Sequence, residues 1–176
     1  MDSLEQRLQR LEDIESIKQL KARYCDACDG GWSKERPGHD WDKLQHMFTE
    51  DGVWDGTPIS MRAVGHEQLR KMYTDLKKEV PFASHNITNP QIEIEGDRAT
   101  AKWHLLAMLT LPHPVASVPP AGAFCIIFYD DICVRTKTGW KFKEMKLSYA
   151  TFTNVEKGWA KERMMDLKFW AEAVQR

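Results

Sequence analysis

Between residues 83 and 153 the chain changes its rhythm. Apolar side chains recur at every second position in four long runs, whereas in the N-terminal part they recur at every third or fourth. A switch from a period near 3.6 to a period of 2 predicts helices first and a largely antiparallel sheet afterwards. In the first part, Leu4, Leu8, Leu11, Ile14, Ile17, Leu20, Tyr24 and Cys28 mark one face of a long amphipathic helix over residues 4–28. Asp2 or Ser3 suits its start and Gly30–Gly31 its end. A loop over 32–40 leads to a short helix, Trp41–Phe48, with Asp40 as its cap. Val53–Asp55 and Ser60–Val64 read as short strands, and a helix runs from His66 to about Lys78, ended by Pro81.

The period-two runs are residues 83–95, 98–111, 123–137 and 140–153. The first pair is joined at Gly96–Asp97, the last pair at Thr138–Gly139, and a stretch with four prolines, Pro112–Gly122, lies between them. Residues 155–174 return to a helical period with Trp159, Met164, Leu167, Phe169 and Trp170. The expected fold class is α+β: one domain over 1–176, a curved antiparallel sheet wrapped on a long N-terminal helix, with an extra C-terminal helix. A helix laid across such a sheet makes a cone, and the inside of a cone is a pocket.

Composition narrows the function. A net charge of −1 argues against nucleic acid as partner, because phosphate binding needs a surplus of Lys and Arg. Lys141, Lys143 and Lys146 read as the solvated face of a strand. No apolar run reaches the ~20 residues of a membrane span. Cys25 and Cys28 form C-x-x-C, but inside a helical stripe rather than at a helix start, and Cys125 and Cys133 are badly spaced for zinc. All four read as reduced core thiols, which with no signal peptide suggests a cytoplasmic protein. His39, His46, His66 and His113 show no ligand spacing, so no metal site is expected. No dinucleotide fingerprint, Walker loop or nucleophile elbow is present, so no cofactor is expected.

The motifs carry a resemblance. Ile17, Leu20 and Tyr24 form I-x-x-L-x-x-x-Y, with Asp29 five residues on. Trp41–Leu44 reads W-D-x-L, and Phe48, Asp51, Gly52 and Trp54 form F-x-x-D-G-x-W. This pattern resembles the SnoaL-like/NTF2-like superfamily, closely over about the first third of the chain. The first stretch is similar to lyases of that superfamily: bile-acid 7α-dehydratase, γ-hexachlorocyclohexane dehydrochlorinase and scytalone dehydratase.

The resemblance implies a catalytic group of Asp29 at the end of the first helix, His85 early in the first long strand, and Tyr24. It also implies no cofactor. Trp54 matches a pocket aromatic, and Trp103, Ala107, Phe124 and Tyr149 are further candidates to bind substrate. Ala107, Thr151 and Met145 stand where bile-acid or chlorocyclohexane enzymes carry an acidic residue or an arginine, which counts against those substrates. The implied activity is elimination, loss of water by default, from a hydrophobic, hydroxylated, ring-containing small molecule. Release of formaldehyde from an aromatic diol, a ketosteroid isomerase-like reaction, a non-catalytic binding module and a dioxygenase small subunit stay open. So does the oligomer, trimer or dimer: the runs at 98–111 and 123–137 are apolar on both parities, unlike a sheet with one face in water.

Overall fold

The computed structural model describes residues 2–30, 38–112 and 120–167. Its elements are α1 (Leu4–Asp29), α2 (Trp41–Leu44), β1 (Phe48–Gly56), β2 (Met61–Val64), α3 (Gly65–Glu79), β3 (Phe82–Glu95), β4 (Arg98–Leu111), β5 (Ala121–Thr136) and β6 (Gly139–Asn154). The strands form one six-stranded sheet in the order β2-β1-β6-β5-β4-β3. All neighbours are antiparallel except β1 and β6, which run parallel. That pair departs from the antiparallel expectation. Parallel neighbours need a long connection, and α3 with four strands supplies it.

Helix α1 starts on a capping box. The Ser3 hydroxyl accepts from the Gln6 N–H (3.1 Å), and the Gln6 side chain accepts from the Ser3 N–H (2.8 Å). It stops at Gly30, whose left-handed φ of 88° lets its N–H reach the Asp26 carbonyl. The apolar stripe is not buried along its whole length. Leu4, Leu8 and Leu11 are exposed, and the core begins at Ile17. Leucine spacing thus foretold the helix but not how far the sheet covers it.

Three polar tethers fix α1 to the sheet. Near its start, Asp13 takes both arms of Arg135 of β5 (2.7 and 2.6 Å) and the indole N–H of Trp140 of β6 (3.0 Å). The Arg135 guanidinium holds the Asp13 carboxyl below its ordinary range, against the opposing effect of burial. Midway, Lys21 meets Asp131 of β5 at 2.7 Å, both side chains fully buried. At the end, Asp29 reaches β3. Inward-facing side chains of β4 alternate strictly: Ala99, Ala101, Trp103, Leu105, Ala107, Leu109 and Leu111 are buried. The opposite parity of β4 and β5 leaves Leu106, Met108, Ile126 and Phe128 exposed on the outer face.

The described part of the last segment corrects the expected C-terminal helix. Residues 155–167 form turns, with Gly158 left-handed at φ 72°. They fold back on β6 through Met165 N–H to the Phe152 carbonyl (2.7 Å) and the Thr153 hydroxyl to the Arg163 carbonyl (3.1 Å). Leu167 is buried, while Trp159 is 68% exposed. Phe169 and Trp170 lie outside the described residues. Among the described residues no helix is long and apolar enough to cross a membrane.

Candidate active site

Asp29 is the last residue of α1, and the chain turns away at Gly30. Its carboxylate is thereby left at the helix end, facing β3. It accepts the backbone N–H of His85 at 2.8 Å through one oxygen and contacts the His85 ring Nδ1 at 2.5 Å through the other. A carboxylate only accepts, so Nδ1 donates, and the neutral ring is left with Nε2 as its acceptor. The two-point hold fixes both the tautomer and the orientation of the ring. The side chains are 13% and 21% exposed, so the pair is screened without being sealed. The negative end of the α1 dipole lies at the same place and favours a positive imidazolium.

His85 lines a cavity shared with Tyr24, Cys28, Trp54, Tyr73 and Tyr129, closed by Leu109, Ile127, Leu147 and Phe152. Its volume is about 50 Å³. A larger open groove of about 580 Å³ runs past Thr57, Arg62, Gln68 and Lys71, but no base with a fixed tautomer faces it. Chemistry rather than size makes the smaller cavity the candidate site.

Tyr24 reaches that cavity from within an unfrayed helix. Its phenol oxygen accepts from the Trp54 indole N–H (3.3 Å) and the Tyr73 hydroxyl (3.2 Å). Burial raises its pKa well above that of an ordinary phenol, so the proton stays on. With its oxygen accepting from both, Tyr24 has its own O–H to donate, with the Cys28 sulfur within reach of it. Burial also raises the neighbouring Cys28 thiol, and pushes Cys25 up to about 12. Neither is a ready thiolate.

The substrate-binding candidates divide. Trp54 lines the cavity. Ala107 pairs with His85 across β3 and β4 and is buried on the inner face. Trp103 also faces inward, but lies beside Asp131 rather than in the cavity wall. Phe124 and Tyr149 are corrections, because both sit on the outer face. Phe124 packs on Trp159 (6.0 Å between ring centres), and the 42% exposed Tyr149 packs on Phe128 (5.1 Å). Two successive apolar parities in β5 hide which one turns inward.

Sequence reasoning missed Tyr73, Tyr129 and His39. Tyr73 lies in the apolar stripe of α3 with Leu69, Met72 and Leu76, and nothing local distinguishes its hydroxyl. His39 lies in a loop, and only its long-range packing brings it to the cavity.

Comparison with known proteins agrees with this architecture. A protein of Mycobacterium tuberculosis, Rv2910c, whose role is uncharacterised, is 26% identical over 106 residues. The match takes in 57% of this chain and 66% of the relative, so the chain spans just under two thirds of the curated relatives it matches. A scytalone dehydratase candidate from Novosphingobium aromaticivorans superimposes with a TM-score of 0.67 at 19% identity, covering 83% of this chain and 91% of that one. The hexachlorocyclohexane dehydrochlorinase LinA-type3 of Novosphingobium barchaimii superimposes with a TM-score of 0.67 at 17% identity, covering 85% and 94%. At those identities the likeness concerns the fold. Residues 9–146, from α1 into β6, match the SnoaL-like domain model, and the chain therefore belongs to the SnoaL-like domain family.

Proposed function

We propose that this chain is a cofactor-independent lyase that eliminates water from a hydrophobic, hydroxylated, ring-bearing small molecule. The observation that carries the reading is the two-point hold of Asp29 on His85 at the wall of an apolar cavity. His85 Nε2 takes a proton from a carbon beside an electron-withdrawing group. Asp29 and the end of α1 stabilise the imidazolium that forms. Tyr24 donates its O–H to the oxygen on which charge develops. The two superimposable proteins named as lyases support elimination as the reaction class. The aromatic wall of Trp54, Tyr73 and Tyr129 suits a ring. A cavity of about 50 Å³ is well below the size of ordinary ligand pockets, so lining side chains shift when a ring enters.

The test is turnover by purified protein of a panel of ring-bearing hydroxyketones and carbinols, followed by mass spectrometry. Loss of water, loss of formaldehyde and unchanged mass separate dehydration, carbon–carbon cleavage and isomerisation. Asp29→Asn is expected to fold normally and to lose at least ~10²-fold in kcat, because an amide turned toward Nδ1 cannot stabilise an imidazolium. Equal turnover by Asp29→Asn removes the dyad from the mechanism.

Self-association, as trimer or dimer, belongs to the same proposal. Leu106, Met108, Ile126, Phe128 and Tyr149 form an exposed apolar face on the outer sheet, the kind of contiguous patch that marks an interaction surface. Light scattering at micromolar concentration is expected to give a multiple of 20.4 kDa. A mass near one chain rejects self-association.

A further inference from the structure

We propose that Met61 is a movable partition between the His85 cavity and the open groove beside β2 and α3, and that the substrate is an elongated molecule, its ring on the cavity side and an uncharged, hydrogen-bonding arm in the groove. The ring rests on the lyase reading above; the arm rests on what the groove offers.

The two hollows share a wall. Met61 lines both the cavity of about 50 Å³ and the groove of about 580 Å³. Its neighbours divide between them. In the turn before β2, Ile59 lines the cavity while Thr57 and Ser60 line the groove. On α3, Tyr73 lines the cavity while Met72 lines the groove. Met61 itself is only 2% exposed, so its side chain fills the seam. Neither hollow suffices alone. The cavity has the held imidazole but no room for a ring, and the groove has the volume of an ordinary ligand pocket but no such base.

Much of the cavity wall is fixed. Trp54 and Tyr73 are both hydrogen-bonded to Tyr24, at 3.3 and 3.2 Å. Leu109 and Ile127 stand on strands paired on both sides. Ile59 also lines an outer hollow, of about 190 Å³, but its β-branched side chain has few rotamers. Met61 differs on each count. It stands on the edge strand, paired with β1 alone, directly after Ser60 with its left-handed φ of 60°. Methionine is unbranched, has three rotatable side-chain bonds and repacks readily. A thioether is at most a weak acceptor, so swinging it aside costs no strong hydrogen bond. Rotated toward the groove, it joins the two spaces.

The groove sets the chemistry of the arm. Because β2 is a sheet edge, a row of its backbone groups points away from β1. The Val64 N–H in that row donates to the Gln68 side chain of α3 at 2.9 Å. Arg62, two residues earlier, has the same parity, so its N–H and carbonyl also turn toward the groove. Both cationic side chains there already have carboxylates beside them. The Lys71 ammonium meets Asp75 at 2.8 Å. Arg62 stands directly across the β1–β2 ladder from Asp55, whose carboxyl is held below its ordinary range by the Thr57 hydroxyl and, to a lesser degree, by Arg62. Donors and acceptors are thus on offer with little uncompensated charge. Hydroxyls or amides fit such a groove, whereas a phosphate finds its cations taken.

The experiment uses three probes that share one ring: 2-naphthol, 2-naphthyl glucoside and 2-naphthyl phosphate, titrated into the purified protein by calorimetry. The glucoside is expected to bind at least ~10-fold more tightly than naphthol, the worth of one or two net hydrogen bonds, and the phosphate no more tightly than naphthol. Lys71→Phe replaces an exposed side chain with one that fills the groove, and is expected to bring the glucoside down to the affinity of naphthol. Met61→Ile suits a strand and stiffens the partition. It is expected to fold as the parent does by circular dichroism and to slow glucoside association at least ~10-fold in stopped flow. In methyl NMR of labelled methionine, the Met61 signal, identified by its absence in Met61→Ile, is expected to shift when the glucoside binds. An unmoved Met61 signal, or an unchanged association rate in a folded Met61→Ile, overturns the partition. A glucoside that binds no better than naphthol, or less well than the phosphate, overturns the uncharged arm. Failure of all three probes to bind overturns the joined site. None of these readings uses turnover, so a protein that binds the glucoside as expected but turns over no ring-bearing compound rejects the lyase reading and keeps the partition.

Discussion

His85→Ala is expected to fold as the parent does and to lose ~10²–10⁴-fold in kcat, the range for removal of a general base. The fold survives for a specific reason. Asp29 holds His85 twice, and the bond to its backbone N–H at 2.8 Å does not depend on the ring. Alanine therefore keeps α1 tied to β3. The second carboxylate oxygen loses its partner, but the Asp29 side chain is 21% exposed and water can replace the ring there. No buried charge is stranded, so the usual cause of large destabilisation is absent. Activity has no such substitute. Of the other cavity groups that ionise, Tyr24, Tyr73, Tyr129 and Cys28 have their pKa values raised by burial and offer no base at neutral pH, and the His39 ring centre stands 6.3 Å from that of His85, away from the position Asp29 fixes. Matching circular dichroism and melting temperature, with turnover of whichever panel compound the parent dehydrates measured on the same preparation, check both halves. Retained turnover in a folded His85→Ala rejects His85 as base. Partial recovery with added imidazole supports it, because the small base can occupy the space the ring left.

Much of this architecture was legible because local signals agreed. Gly30 ends α1 and Asp40 caps α2, accepting the Asp42 N–H at 3.1 Å, as read from the chain. The turn at Gly96–Asp97 and the span of β4 follow from period and punctuation alone. What failed has a common cause. Alternation says that two faces exist, not which one turns inward, and β5 is apolar on both. Trp103 and Ala107 were placed on the inner face correctly, while Phe124 went to the wrong one. For Tyr149 the pairing itself slips: Phe128 faces Tyr149, but Tyr129 faces Leu147, so a bulge resets the parity of β6. The apolar spacing of 155–167 suggested a helix, yet Gly158 takes a left-handed conformation and the segment binds β6 instead. The site divides along the same line. Asp29, His85 and Tyr24 were implied by the family resemblance, and the fold brings the first two into contact. Tyr73 and His39 carry no local signal, because only packing across the fold brings them to the cavity wall.

The largest expected loss of stability lies beneath the site rather than in it. Asp131→Ala is expected to cost about 3–5 kcal/mol, the range for stranding one partner of a buried pair. Lys21 and Asp131 are both fully buried, 2.7 Å apart. The Lys21 ammonium also lies 3.6 Å from the centre of the Tyr129 ring, with Tyr24 and Phe142 at 5.4 and 5.5 Å. Those rings offset the loss by only about 1–2 kcal/mol, so a lone ammonium there remains costly. The reverse deletion is milder. Burial already pushes the Asp131 carboxyl up to about 6, with Lys21 pulling it down. In Lys21→Met the carboxyl can take up a proton and become neutral. A carboxyl whose folded pKa lies above its unfolded value adds stability below the unfolded value and loses it as pH rises through the folded one. Removing Lys21 moves that folded value further up. Lys21→Met is therefore expected to be more stable at about pH 5 than at about pH 8, while Asp131→Ala gains nothing from acid by this route. The double variant Lys21→Met/Asp131→Leu removes both charges, and its expected stability is that of the parent or about 1–4 kcal/mol above it. Urea melts of the three variants at both pH values decide the matter. Equal losses for the two single variants at every pH would show that the pair acts by packing alone. Because Tyr129 and Tyr24 reach from this ion pair into the cavity, the same melts also report how firmly the wall behind His85 is held.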